Sequence, residues 1–211
     1  ITIDGAFGPK SRAALREVLA GPSAKVTPTQ IANMADTYGL TPALVGAVYD
    51  VESAGAGMSS ITGLPIILFE PHVFSRLTER RFDAAHPALS YRTWKTRPYP
   101  ATQAGRWDQL LSAIAIDPGA AFQSASWGLG QVMGFNHKAC GYDDVWDFVL
   151  AMARGESDQL RAMLAFIGSK GLTAALKRQD WRAFARSYNG DGQVDKYARL
   201  LATAYARRGG V

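Results

Sequence analysis

TPALVGAVYDVESAGAG, residues 41–57, is an apolar segment that runs into a carboxylate and is then cut off by glycines. Thr41 suits a helix N-cap, and Pro42 suits the first helical position, where its missing N–H would have no partner anyway. Leu44, Val48 and Glu52 recur at intervals of four, with Val45 and Val51 beside them. On a helix this spacing sets the Glu52 carboxylate next to the buried stripe. Gly55 and Gly57 then stop the helix. Burial raises a carboxyl pKa, and the negative end of the helix dipole acts in the same direction. A carboxylic acid that keeps its proton near neutral pH is the general acid needed to cleave a glycosidic bond. Taken alone, the spacing is more often that of a surface glutamate at a helix end, so the other segments decide the matter.

Of the 211 residues, 47% are hydrophobic and 19% charged, proportions of a globular chain with one substantial core. No uninterrupted apolar run approaches the roughly 18 residues of a membrane span. The first residues do not form a secretory signal, so export is expected to rely on something outside this chain. A single cysteine, Cys140, excludes an internal disulfide.

The net charge of +5 is unevenly spread. Residues 76–106 hold Arg76, Arg80, Arg81, Arg92, Lys95, Arg97 and Arg106 against Glu79 and Asp83, a balance of +5. Residues 1–75 come to −2 and residues 107–211 to +2. Tyr91, Trp94 and Tyr99 interleave with the basic run, as do Pro87, Pro98 and Pro100. The expectation is a long basic, aromatic loop suited to an anionic polymer or surface. The other reading is a solvated loop with packed aromatics. No nucleic-acid-binding motif accompanies the run, so nucleic acid is not expected as a partner.

Residues 1–24 read as a separate piece, with a DG turn at Asp4-Gly5 and a helix from about Pro9 to Leu19. It is too short for a core of its own, so it docks on the larger domain or is the remnant of a longer N-terminal module. The main domain is placed at 25–211. Thr27-Pro28 opens a helix to about Tyr38, and Leu64–Glu70 is the best strand candidate, ended by Pro71. A helix around Val73–Leu77 follows. Beyond the basic loop the pattern is helical: Arg106–Ile116, Gly119–Ser124 after Asp117-Pro118, and Asp144–Met152 capped by Asp143. Asp158–Ile167, Leu172–Leu176, Trp181–Ser187 capped by Asp180, and Val194–Ala206 complete it.

Three further segments carry possible chemistry. Ser126-Trp127-Gly128-Leu129-Gly130-Gln131-Val132-Met133-Gly134-Phe135-Asn136 has three glycines within seven residues, which let a backbone approach a ligand or another helix closely. Gln131 and Asn136 can bind sugar hydroxyls or amides, and Trp127 can stack on a sugar face; a packing turn has the same composition. Tyr188-Asn189-Gly190 is an ordinary turn signal unless the fold brings it to Glu52. Glu70, after Phe69, can activate a water or pair with an arginine of the basic loop. His72, His86 and His137 show no metal-ligand spacing, so neither a metal nor a cofactor is expected. His137-x-x-Cys140 matches no catalytic signature, and a buried structural cysteine is the simpler reading.

In chain order, Glu52-Ser53, Ile67-Leu68-Phe69-Glu70, Ala125 to Asn136, and Phe184-Ala185-Arg186-Ser187-Tyr188-Asn189-Gly190 together resemble the N-acetylmuramidase domain of modular bacteriophage endolysins, in the lysozyme-like superfamily. The similarity spans about residues 27–206, with Trp127 to Asn136 its most specific block. It implies a mainly α (α+β) fold: a large helical lobe and a small β lobe flanking a glycan cleft. By the same resemblance Glu52 matches the catalytic acid, Gln131, Tyr188 and Asn189 line the cleft, and Ser53, Trp127 and Asn136 join them. The implied substrate is the β-1,4 bond between N-acetylmuramic acid and N-acetylglucosamine in bacterial peptidoglycan, with action at the cell wall after synthesis in a host cytoplasm. Glu70 is the first candidate for a second carboxylate. Asp4 to Lys10 and Arg12 to Leu15 look like the closing half of a peptidoglycan-binding module. A lytic transglycosylase using the same Glu52 is the nearest rival. A non-catalytic wall-binding domain and a Cys140 peptidase are the more distant ones.

Overall fold

A computed structural model describes residues 7–52 and 56–210. The Asp4-Gly5 turn, Ser53 and Gly55 lie outside the described residues. The elements run α1 (Pro9–Val18), α2 (Pro28–Tyr38), α3 (Pro42–Glu52), β1 (Ile67–Phe69), α4 (Pro71–Leu77), α5 (Gln103–Ile114) and α6 (Pro118–Gln123). Then come β2 (Ala125–Trp127), β3 (Val132–Met133), a 3-10 helix (Gly134–Cys140), α7 (Val145–Ala153) and α8 (Glu156–Ser169). α9 (Thr173–Lys177), α10 (Trp181–Asn189), a 3-10 turn (Asp191–Gln193) and α11 (Val194–Arg207) close the chain.

Helix starts follow their caps. The Thr41 hydroxyl accepts from Leu44 N at 3.2 Å, and Asp180 accepts from Ala183 N at 3.0 Å. Several starts differ from the expectations: α4 begins at Pro71, not Val73, α6 at Pro118, not Gly119, and α8 at Glu156, not Asp158. Thr102, not Arg106, begins the helix after the basic loop, because its hydroxyl accepts from Gly105 N. Asp144, not Asp143, caps α7. The predicted strand 64–70 shortens to Ile67–Phe69, and the Ser126–Asn136 stretch, read as a turn, supplies two more strands. All three pair antiparallel in the order β1-β2-β3, with Ile67 opposite Trp127 and Ser126 opposite both Leu68 and Met133. Strands of two or three residues carry too little alternation to show a period.

The core forms two clusters. One gathers the sheet with α5, α6 and α7 around Phe69, Trp107, Phe122, Trp127 and Phe148. The other gathers α2, α3, α10 and α11 around Val48, Leu160, Phe184 and Leu201. α8 serves both, with Ala162 in the first and Leu160, Met163 and Ile167 in the second. Each fully buried large side chain contributes about 1.5–3 kcal/mol, so both clusters are substantial. This is the mainly helical architecture with a small antiparallel sheet that the lysozyme-like resemblance implies. The backbone passes from one cluster to the other between Trp127 and Leu129. α1 packs on the first cluster: Leu19 is fully buried, Leu15 and Phe7 lie against the core, and Gly21 N bonds Gly63 O at 2.9 Å.

Candidate active site

α3 delivers Glu52 at its C-terminal end, half-buried. α10, from the same cluster, brings Asn189 to it, and the Asn189 Nδ2 amide donates to Glu52 Oε1 at 3.2 Å. Burial raises the Glu52 pKa above the ordinary glutamate value, while the Asn189 bond, the smaller effect, lowers it. Asn189 Oδ1 is buried and, among the described residues, has no hydrogen-bond partner. Tyr188 stacks on Phe184 with centroids 5.4 Å apart, and its hydroxyl reaches toward Gly130 O at 3.5 Å. Burial pushes the Tyr188 pKa well up, and the charge of Glu52 adds to it, so Tyr188 stays a neutral phenol.

The turn joining β2 to β3 lies next to this pair. Gly128 and Gln131 both take left-handed backbone, with φ of 62° and 45°. Gln131 is bound into its own hairpin: Oε1 accepts from Ser126 Oγ at 2.9 Å, and Nε2 donates to Gly128 O at 2.7 Å and Ile66 O at 3.2 Å. Its carboxamide shapes the turn and ties it to β1.

Two residues that the sequence reading passed over hold the arrangement together. Glu156, 1% exposed, accepts from Lys25 Nζ, Tyr49 OH and Gly57 N, each at 2.9 Å. Gln159 accepts from Leu129 N at 2.8 Å and donates to Gly57 O at 3.2 Å and Met152 O at 2.8 Å. One face of α8 therefore clamps both the segment after Glu52 and the β2–β3 turn. A Cβ on Gly128 would sit 2.4 Å from the Gln159 side chain, so only glycine fits there. Burial first, and then the bond to Glu156, pushes the Tyr49 hydroxyl up to about 12, so it remains a donor. The available signal was a Glu and a Gln three apart on an otherwise buried helix.

The remaining predicted residues fall in different places. Trp127 is 1% exposed and its indole N–H donates to Phe122 O at 3.1 Å. It packs edge-on to Trp107 in the core, so it offers no face to a sugar; this corrects the stacking expectation. Asn136 is half-buried in the 3-10 helix beyond β3 and, among the described residues, has no hydrogen bond to the Glu52–Asn189 pair. Glu70 caps α4 and accepts from Tyr99 OH at 2.6 Å, with His72 Nδ1 3.3 Å from the same oxygen. The basic loop thus meets Glu70 through a tyrosine, and no arginine pairs with it among the described residues. Burial and then the Glu70 bond hold the Tyr99 proton in place. Cys140 is buried and its thiol is pushed up to about 12, while His137 Nδ1 lies 3.0 Å from Gly134 O. That geometry provides no thiolate–imidazole pair.

Residues 41–208 match the N-acetylmuramidase family. Among solved structures, the crystal structure of a Burkholderia AP3 phage endolysin is 35% identical, with a TM-score of 0.81. The match covers 96% of this chain and 78% of that one. Among curated proteins nothing matches. The matched span runs from the cap of the Glu52 helix through Asn189 into α11. The chain belongs to the N-acetylmuramidase family, the muramidase glycoside hydrolases of peptidoglycan whose lysozyme-like domains occur in phage endolysins.

Proposed function

We propose that Glu52 is the general acid for hydrolysis of the β-1,4 bond between N-acetylmuramic acid and N-acetylglucosamine. The observation that carries this reading is a carboxyl at the end of a buried helix, its pKa raised by desolvation and its oxygen held by Asn189. A protonated Glu52 donates to the glycosidic oxygen as oxocarbenium character develops at the muramic carbon. Asn189 orients the acid through this bond. Tyr188 closes the site from the Gly130 side, and Ser53 belongs to the same substrate-binding set. Glu70 is the second carboxylate in this reading: it follows β1 on the side of the alternation shared with Leu68, away from the buried Ile67 and Phe69.

Digestion of peptidoglycan in 18O water tests the bond and the nucleophile together. Products ending in reducing N-acetylmuramic acid with one labelled oxygen are expected by mass spectrometry. Products with 1,6-anhydro ends overturn hydrolysis in favour of the transglycosylase reaction, and reducing N-acetylglucosamine ends overturn the bond assignment.

Asn189→Ala removes the bond that favours ionised Glu52. The acid then keeps its proton to higher pH, so the alkaline limb of the kcat/KM–pH profile, which reports the free enzyme, shifts upward. An unmoved or lowered limb would separate Asn189 from the acid.

A further inference from the structure

A second concavity, built by α4 and the basic loop, has a volume of about 830 Å³ and is lined by His72, Ser75, Arg76, Glu79, Arg80 and Arg92 among others. Three guanidiniums face one carboxylate there, and none of the three forms an ion pair among the described residues. Among the described residues, two buried polar atoms on its wall have no hydrogen-bond partner: Ser75 Oγ, on a residue 1% exposed, and His72 Nδ1, which lies 3.3 Å from a Glu70 oxygen. Buried polar atoms are rarely left so. Glu79 and Arg80 both hold left-handed backbone, φ 53° and 64°. Residues with a Cβ resist that conformation, and it is kept where it aims side chains.

The pocket continues the outer face of the sheet. His72 adjoins Glu70 at the end of β1, and Arg76 lies over the Phe135 ring at 5.5 Å, two residues past β3. At the other end of that face, Ile66 O holds Gln131 beside the Glu52 cluster. From Ile66 to Glu70 is about 13 Å at the rise of an extended strand. A molecule lying along the sheet with its reacting bond at Glu52 therefore extends toward the arginines.

We propose that this pocket takes the carboxylate-bearing peptide stem carried by the muramic residues of the glycan strand, so that stem-bearing glycan is the preferred substrate; this rests on the muramidase reading above. Arginine forks match carboxylates. The carboxylate Glu79 in the same lining suits the amino group of a diamino-acid stem and opposes a polyphosphate, which has no cation to offer it.

The test compares two soluble substrates from one wall: strands whose cross-links were cut by an endopeptidase, and strands stripped of stems by an amidase. The wild-type protein is expected to show at least roughly tenfold higher kcat/KM on the stem-bearing strands, the scale of one charge-assisted hydrogen bond. Arg92→Gln and the double variant Arg76→Gln/Arg92→Gln lose that preference through KM, with kcat on stem-bearing strands and the melting temperature retained. Arg92 is an exposed loop residue, so its single replacement stands as the readout that misfolding does not confuse. Equal rates of wild type on both strands, or variants that keep the preference, overturn the proposal. A variant defect confined to binding of isolated teichoic acid overturns it in favour of a phosphate polymer. Absence of new reducing ends from either substrate removes the muramidase reading and this proposal with it. Cleavage of stem-free strands at full rate removes this proposal alone.

Discussion

Glu52→Gln is expected to lower glycan cleavage by roughly 10²–10⁴-fold, the usual contribution of a positioned general acid, with the fold intact. Glutamine keeps the shape and an acceptor for Asn189 but has no proton to give. The same substitution should raise thermal stability at neutral pH. Burial sets the folded pKa of Glu52 above its unfolded value, so the folded state holds the proton more tightly. That stability is fully present below the unfolded pKa and is lost as pH rises through the folded one. Glutamine removes the loss, so the melting difference between variant and wild type should be larger at pH 7 than at pH 4. Calorimetry at both pH values, beside release of reducing ends, reads the two effects together. A variant that lyses walls at the wild-type rate would falsify the assignment of Glu52.

Glu156→Ala is expected to be the most destabilising of the polar replacements, at roughly 2–5 kcal/mol, because two buried donors are left without an acceptor at about 1–3 kcal/mol each. Tyr49 OH and Gly57 N would lose their acceptor inside the protein, and Lys25 its partner. In a chain of this size the melting temperature should fall by roughly 10 °C or more. Lys25→Met leaves the Glu156 carboxylate buried with two neutral donors and no cation, and should cost less than Glu156→Ala but more than the loss of an exposed ion pair. Activity should drop in Glu156→Ala even well below the melting temperature, because Gly57 follows the Glu52 helix and loses an anchor to α8. If the two variants melt alike, Glu156 is held by its charge pair and not by the loop it anchors.

Thr41-Pro42 and the four-residue spacing through Glu52 were readable because caps and helical periodicity are local physics, expressed within a few residues of chain. The Asp180 cap and the extent of α10 were readable for the same reason. The strands were not: β2 and β3 sit in a glycine-rich stretch and pair with each other, and β2 is held by β1, about 60 residues earlier in the chain. Trp127 misled because a tryptophan among glycines looks like a binding face until the fold buries it. Glu156 and Gln159 were invisible as functional residues, since what they hold is 99 to 102 residues away along the chain in the case of Gly57.

The sequence by itself determined a mainly helical chain, the helix that ends on Glu52, and the order of segments that resembles a muramidase. Only the tertiary structure decided which polar residues meet. It put Asn189 on Glu52, Tyr99 on Glu70 and the Gln159 clamp on two loops at once, because each contact joins elements far apart in the chain. The raised pKa of Glu52 belongs to the same class. Helix position suggested it, but desolvation is a property of everything packed around the carboxyl, and no stretch of residues contains that information on its own.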